Sequence, residues 1–475
     1  MVPSVAGSGK TTFLEECARR IPKNKSVAFC CFGKQIAIEI ERRITPFNLE
    51  NIVISTLHSF SFGAVRRAFS RVKVDANKLR NIARNEFTGE YENLQQFAIS
   101  AVAMAKEVGI GVINEDTLDN WVQMCDHHNL WDSLPNGVSE AQGIDAAQHL
   151  LKCNNKLRYI IDFSDMIYFT ILFDLKIWQY DYILLDEAQD TNGPRRALAK
   201  KMLKRGGKLI AVGDPHQAIF GFTGADNKSL DIIREEFDCE VKPLSVTFRC
   251  PKNIVEVAKQ WVNHIEAAET APDGIVDSCE LSDISKLVGP KDAIICRNTK
   301  PLVELAYTLL RQQIACKVEG RAIGEGLVKL AQRWKTVKNV GELYNKLQQW
   351  SENEIEKNKR KGNDSRCQVI EDQVKTLEVF ISECDNTDPI SKLVTNIRDL
   401  FGDTEGEQRI LTLTTIHKAK GKEWDRVFAL GMNTYSPSKW ASKDWEMEQE
   451  DNLCYVQVTR AKQHLTLVNV PAKNS

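Results

Sequence analysis

The chain has 475 residues, 43% of them hydrophobic and 27% charged, with a formal net charge of −1. This is a globular composition long enough for two or more domains, and it excludes fibrous, disordered and histone-like basic classes, so any contact with a polyanion must come from a local groove. No apolar run reaches the roughly 18 residues that span a bilayer, and no basic segment leads into an apolar one at the N-terminus, so a soluble, cytoplasmic protein is expected. The thirteen cysteines include no CxxC pair, and the neighbours His127 and His128 have no further ligand at zinc spacing. Reduced thiols are therefore expected, and a structural metal site is not.

The first element is a glycine-rich turn leading into a helix, Ala6-Gly7-Ser8-Gly9-Lys10-Thr11-Thr12. Absent side chains at the glycines let backbone N–H groups close on phosphate oxygens, and the helix presents its positive end to them. Lys10 is placed to reach the β- and γ-phosphates and Thr11 to hold Mg²⁺ through its hydroxyl, so ATP and Mg²⁺ are the expected cofactors. Ser4 stands where the G-x-x-x-x-G-K-[ST] pattern has its first glycine, and the stretch alone also fits an ordinary glycine turn before a helix.

Short runs rich in β-branched residues follow at 27–32 and 51–55 and read as buried strands. The stretch 65–157 lacks strand patterns and carries periodic apolar positions such as Leu94, Phe97, Val102 and Met104, which predicts a helical insertion. Strands are expected again at 182–186, 209–213 and 293–297. A second helical stretch, 320–407, contains the charged run Glu352 to Arg366, expected as solvated surface, and an amphipathic segment from Val369 to Phe380. Strands at 410–415, 427–431 and 464–468 close the chain. Helices between strands imply βαβ units, so the fold class is α/β with parallel sheets.

The strand Tyr182-Ile183-Leu184-Leu185 ends in Asp186-Glu187. A carboxylate at a strand end can hold Mg²⁺, here Asp186, while Glu187 beside it can polarise the water that attacks the γ-phosphorus. A solvated helix N-terminus would also favour two carboxylates, but it would not also require the phosphate loop earlier in the chain.

From here the chain resembles a family. Asp186-Glu187-Ala188-Gln189-Asp190 followed by Gly213-Asp214-Pro215-His216-Gln217-Ala218-Ile219-Phe220-Gly221-Phe222-Thr223-Gly224-Ala225 is similar to superfamily 1 helicases of the UvrD/Rep type. Phe32-Gly33-Lys34, Ser55-Thr56-Leu57-His58-Ser59-Phe60, Thr247-Phe248-Arg249-Cys250-Pro251, Thr414-Thr415-Ile416-His417-Lys418-Ala419-Lys420-Gly421-Lys422-Glu423 and Tyr455-Val456-Gln457-Val458-Thr459-Arg460-Ala461 extend the resemblance to the C-terminus.

The resemblance implies two RecA-like P-loop NTPase domains with ATP in the cleft between them. The first would comprise 1–64 and 158–237, with its insertion at 65–157. The second would comprise 238–319 and 408–475, with its insertion at 320–407. It further implies that Gln217 senses the γ-phosphate, that Phe248 stacks on adenine, that Glu423 binds the ribose, and that Arg249 and Arg460 act on the γ-phosphate. Arginines on the transferring phosphoryl group would couple hydrolysis to domain closure. Single-stranded DNA is the implied partner, with a 3′-tailed duplex as the unwinding substrate and 3′ to 5′ movement. Phe32, Thr56, His58, Phe220, Phe222 and His417 would line the strand's path, with Phe222 stacking on bases in a sequence-independent grip.

The chain departs from the family pattern in several places. It begins five residues before Ala6, without the upstream segment whose glutamine recognises adenine in relatives, and Pro3 sits where a central strand should run. Weaker nucleotide selectivity is expected. Thr223 replaces an arginine found in many relatives, and the second insertion is short, which makes unwinding a weaker expectation than ATP hydrolysis. The small size fits a compact, phage-type accessory helicase. The alternative is a DNA-stimulated ATPase acting as a motor or sensor in a larger complex without robust unwinding. No clustered carboxylates mark an appended nuclease, and with Lys10, Glu187 and both arginines present a non-enzymatic scaffold is not expected.

Overall fold

The computed structural model describes residues 1–221, 228–360, 364–402, 410–439 and 441–471. The chain divides into two compact units, Met1–Ser4 with Gly9–Leu244, and Val5–Ser8 with Ser245–Ser475.

The first unit is built on a five-stranded sheet of β1 (Val2–Pro3), β2 (Val27–Cys31), β3 (Ile52–Thr56), β4 (Tyr180–Leu185) and β5 (Leu203–Gly213) in the order β1-β5-β4-β2-β3. All its pairings are parallel. Such a sheet is covered on both faces, which is why β2 reads Val-Ala-Phe-Cys-Cys with no polar alternation and every residue buried. Val27, Phe29 and Cys31 pack with Leu14, Ala18 and Ile40 on one face, while Ala28 and Cys30 pack with Ile183, Leu198 and Ile233 on the other. That alternation is the period of two of a strand. Pro3 does not break the sheet. Its carbonyl accepts from Leu244 N at 2.8 Å, so its missing donor points away from β5, and the next residue, Ser4, donates to the Gly213 carbonyl at 2.8 Å.

Helices Lys78–Glu86, Gln95–Val108, Leu118–His127 and Glu140–Lys156 form a core of their own around Phe97, Trp121 and Leu150. Leu94, Phe97 and Val102 are buried in it, and Met104 packs against it. The expectation of a strand-free stretch is corrected at one point: Lys73–Val74 pairs with Ile160–Ile161. Two residues are too few to show a period, so no pattern marks them.

Beside that pairing lies a charge cluster in which Lys78, Lys106 and Asp165 are buried. Lys78 Nζ donates to Asp165 Oδ2 at 2.8 Å, and Lys106 Nζ donates to Asp165 Oδ1 at 3.0 Å and Asp162 Oδ2 at 2.5 Å. Burial alone would push the Asp165 carboxyl up, but Lys106 and Lys78 outweigh it and hold the group below the usual carboxylate range. Asp165→Asn is therefore expected to destabilise the chain by about 3 kcal/mol, because two buried ammonium groups lose their shared counter-charge. Denaturant unfolding at neutral pH measures this; an unchanged midpoint would contradict it. The cluster's stabilisation is present above the ordinary carboxylate range and is lost as the pH falls through the depressed Asp165 value.

The second unit carries a seven-stranded parallel sheet of β6 (Ile275–Glu280), β7 (Ala293–Cys296), β8 (Cys316–Glu319), β9 (Phe401–Gly402), β10 (Leu411–Thr415), β11 (Trp424–Leu430) and β12 (Ala461–Asn469). Their order is β6-β12-β11-β7-β10-β8-β9. The sequence pattern missed β6 and β8, and also the two-residue β9, which corrects the expectation that 320–407 is free of strands. β6 is a largely exposed edge strand with polar residues, and β8, Cys-Lys-Val-Glu, carries two charged residues among its four.

Helices Arg321–Ala331, Val340–Arg360, Asp364–Ser382 and Ile390–Leu400 share one core with this sheet, where Ile370, Val374, Leu377 and Phe380 meet Val318, Leu411 and Leu413. Their spacing of three and four is the amphipathic period expected there. The charged run from Glu352 continues helix Val340–Arg360 with mostly exposed residues, and residues 361–363 lie outside the described part. No helix among the described residues is long and apolar enough to cross a membrane.

Candidate functional site

In the first unit, the candidate residues gather at the C-terminal ends of parallel strands: Lys10 and Thr11 at the start of the helix that follows β1, Phe32 after β2, Thr56 and His58 at the end of β3, Asp186 after β4, and Gln217 after β5. Sites in open parallel sheets form at this edge.

Helix Lys10–Arg20 starts at Gly9 with no capping side chain and no acidic residue in its first turn. Its first N–H groups and its dipole are thus left for an anion. Gly7 and Gly9 have φ of 70° and 81°, a region that side chains disfavour. Ser8 is buried with its hydroxyl lacking a protein partner, and Ala6 is buried beside it. Lys10 is half-buried, whereas Thr12 faces solvent and its hydroxyl accepts from Arg43 at 3.4 Å. Ser4, at the position of the pattern's first glycine, donates its hydroxyl to the Gly213 carbonyl at 2.9 Å. A glycine could not make that bond.

Thr11 Oγ1 donates to Asp186 Oδ2 at 2.9 Å, which brings together the two residues expected at a metal ion. Asp186 is buried, and its carboxyl is pushed up to about 6, first by burial and then by the Glu187 charge. A divalent cation would relieve both effects, so this pair of oxygens fits Mg²⁺.

Glu187 has φ of 50°, a left-handed conformation uncommon outside glycine and asparagine. Its Oε2 accepts from Gln189 Nε2 at 2.5 Å, and Gln189 Oε1 in turn accepts from Asp214 N at 3.0 Å. Gln217 Nε2 donates to Asp214 Oδ2 at 2.6 Å. A chain of hydrogen bonds thus links the carboxylate after β4 to the glutamine after β5. Gln189 and Asp214 had been given no role from the sequence, although both lie within its matched motifs.

In the second unit, Arg249 Nε donates to Glu423 Oε2 at 2.6 Å and Arg249 Nη1 to the Thr459 carbonyl at 3.4 Å. Arg460 is buried, with Nε on the Val456 carbonyl at 3.0 Å and Nη1 on the Lys422 carbonyl at 3.3 Å. Arg249, Glu423 and Arg460 therefore lie together, and the Arg249–Glu423 ion pair was not expected. Phe248 is 74% exposed, which leaves its ring face available for stacking. Within the same unit Ala6 N donates to Tyr455 Oη at 2.8 Å, a contact that sequence reasoning missed.

Among the residues expected along a nucleic-acid strand, Phe32 and Phe220 stack with ring centroids 6.3 Å apart and planes within 12°. Arg195, which the motifs did not single out, lies 5.6 Å from the Phe32 centroid. Only its approach from helix Gly193–Met202 to the Phe32 ring marks it. Thr56 Oγ1 accepts from Ser59 N at 3.2 Å, so it also caps helix Leu57–Ala68. His58 is held below the usual imidazole range by burial and then by Arg195. His417, in the second unit, is pushed down to about 3 by burial, Arg297 and Lys420 and is neutral. Phe222 and Thr223 lie outside the described residues.

Comparison with known proteins matches residues 1–238 to the UvrD/REP helicase N-terminal domain and residues 411–468 to the UvrD-like helicase C-terminal domain. The chain is 25% identical to the probable DNA helicase II homolog of Mycoplasma pneumoniae, covering 99% of this chain and 82% of that protein. It is 23% identical to the ATP-dependent DNA helicase PcrA of Staphylococcus epidermidis, over 100% of this chain and 81% of that one. It is 24% identical to the F-box DNA helicase protein 1 of Schizosaccharomyces pombe over 98% of this chain, which spans only 55% of that relative. With a family match over half its length, and with the phosphate loop and acidic strand end it requires held together by the Thr11–Asp186 bond, the chain belongs to the UvrD/REP helicase family.

Proposed function

We propose that the protein is an ATP-dependent DNA translocase and helicase that moves 3′ to 5′ along single-stranded DNA. The observation that carries this reading is the uncapped start of helix Lys10–Arg20 joined to the buried Asp186 carboxylate through the Thr11–Asp186 bond. Bound Mg²⁺ would neutralise charge on the transferring phosphoryl group, with Thr11 and Asp186 as its protein ligands. Backbone N–H groups at the start of the helix, from Gly9 to Thr12, and the Lys10 ammonium bind the phosphates. Glu187, oriented by Gln189, takes the proton of the attacking water, and Gln217 senses the γ-phosphate through Asp214. Phe248 stacks on the base, Glu423 binds the ribose, and Arg249 and Arg460 stabilise the charge on the transferred group.

The stacked Phe32 and Phe220 with Arg195 beside them supply the aromatic and cationic surface that grips a strand without reading its sequence. Thr56, His58, Phe222 and His417 complete the proposed track.

The test is ATP hydrolysis without nucleic acid and with single-stranded DNA, duplex DNA or RNA, beside displacement from duplexes with 3′ or 5′ tails. Stimulation by single-stranded DNA at least tenfold above duplex and RNA is expected, with displacement from the 3′-tailed duplex. Stimulation by RNA alone would reject DNA as the track, and displacement only from a 5′ tail would reject the polarity. Stimulation without displacement would favour a motor or sensor that does not unwind.

A further inference from the structure

Three chemically distinct donors meet at the surface of the first unit's helical insertion, remote in sequence from every residue assigned above. His149 and Cys153 lie four residues apart on helix Glu140–Lys156, so they share one face. Glu86 is the last residue of helix Lys78–Glu86. His149 Nε2 is 3.6 Å from Glu86 Oε2 and 3.6 Å from Cys153 Sγ, and the three candidate ligand atoms all lie within 4.8 Å of one another.

These separations are informative. In a tetrahedral zinc site, bond lengths of about 2.0–2.3 Å place a nitrogen and an oxygen about 3.4 Å apart and a nitrogen and a sulfur about 3.6 Å apart. His149 thus already stands at about a tetrahedral-edge distance from each of the other two donors, and the third pair, Glu86 and Cys153, is within 4.8 Å. The edge of the Phe87 ring meets the His149 ring at 6.1 Å with an interplanar angle of 80°, and Phe87 is itself buried, which fixes one side of the imidazole. Glu86 stands at the negative end of its helix dipole, a place that favours a cation. The cluster opens onto a cleft of about 590 Å³ whose wall includes Asn81, Asn85 and Tyr159, leaving room for a water as fourth ligand.

We propose that Glu86, His149 and Cys153 form a binding site for a divalent metal ion of the zinc class, which clips helix Lys78–Glu86 to helix Glu140–Lys156. A thiolate, an imidazole and a carboxylate suit zinc or cobalt, whereas magnesium and calcium prefer all-oxygen shells. The sequence did not suggest this site because its donors come from two helices 63 residues apart, without the short paired spacing of zinc motifs.

The experiment titrates Co²⁺, then Zn²⁺, into the full chain after chelator treatment, under reducing conditions and without nucleotide. The readout is near-ultraviolet thiolate-to-cobalt charge-transfer absorption, which an all-oxygen Mg²⁺ site cannot produce. One equivalent of Co²⁺ is expected to saturate the band and Zn²⁺ to displace it. Cys153→Ser should abolish the band, and His149→Ala and Glu86→Gln should each weaken Co²⁺ binding at least about tenfold, since even loss of an outer-shell partner costs that much. Zn²⁺ should raise the Tm of the wild-type chain and not that of Cys153→Ser, because a ligand that binds only the folded state stabilises it. The three side chains are exposed or half-buried, so the variants should fold, and their circular dichroism and metal-free Tm verify this. Absence of the band, or a band unchanged in Cys153→Ser, overturns the proposal; in the second case another thiol holds the metal.

Discussion

Replacing Glu187 with glutamine is expected to lower steady-state ATP turnover by about 10²–10⁴-fold while leaving nucleotide and DNA binding within about twofold of wild type. The substitution is nearly isosteric. The new amide oxygen can still accept from Gln189 Nε2, which the wild-type carboxylate meets at 2.5 Å, so the loop after β4 keeps its anchor on Asp214. What is lost is the negative charge and the ability to take a proton from water. Loss of that charge also removes the second-largest influence raising the Asp186 carboxyl, so Asp186 becomes easier to ionise and Mg²⁺ binding should be retained or improved. Single-turnover hydrolysis beside equilibrium binding of a fluorescent nucleotide separates the effects. Turnover within threefold of wild type would remove Glu187 from the role of general base.

The second large effect is expected for Arg249→Ala, a loss of about 10³–10⁵-fold in kcat if this guanidinium acts on the transferring phosphoryl group. The residue is a cleaner probe than Arg460. Arg460 is buried and bonded to two backbone carbonyls, so its truncation would also cost stability. The side chains of Arg249 and Glu423 are 18% and 42% exposed, and breaking such a pair costs at most about 1 kcal/mol. Arg249→Ala should therefore fall in kcat with an almost unchanged urea midpoint. A parallel loss of both would assign the arginine to structure. The ion pair adds a second expectation to the same experiment: Glu423→Gln, which releases Arg249 without removing it, should keep far more activity than Arg249→Ala.

Much of this molecule is legible in its sequence because several of its constraints are local. Eight strands were expected from short β-branched runs, and each lies on an observed strand of one of the two parallel sheets. A strand buried on both faces must be apolar throughout, and that condition is written in consecutive residues. Of the strands that were missed, Ile275–Glu280 fails this condition by exposure, Cys316–Glu319 because Lys317 and Glu319 interrupt it, and Phe401–Gly402 is too short to show a pattern. The glycines at 7 and 9 and the carboxylates at 186 and 187 are equally local, since positive φ and a strand-end charge each constrain a single position.

Tertiary structure decided the partnerships. Nothing in the order of residues states that Gln189 bridges Glu187 to Asp214, that Glu423 holds Arg249, or that Arg195 approaches the Phe32 ring. Nor does it state that Lys78 and Lys106, which composition would place in water, are buried against Asp165, or that Glu86 meets His149 and Cys153. These contacts join residues brought together by the path of the chain, and a side chain's charge state and reach depend on what that path places beside it. The seven residues from Ala6 to Thr12, a reading completed by the strand end at Asp186-Glu187, point to a phosphate loop because its chemistry is carried by its own backbone. The groups that orient, restrain and neutralise it come from elsewhere in the chain, and only folding puts them there.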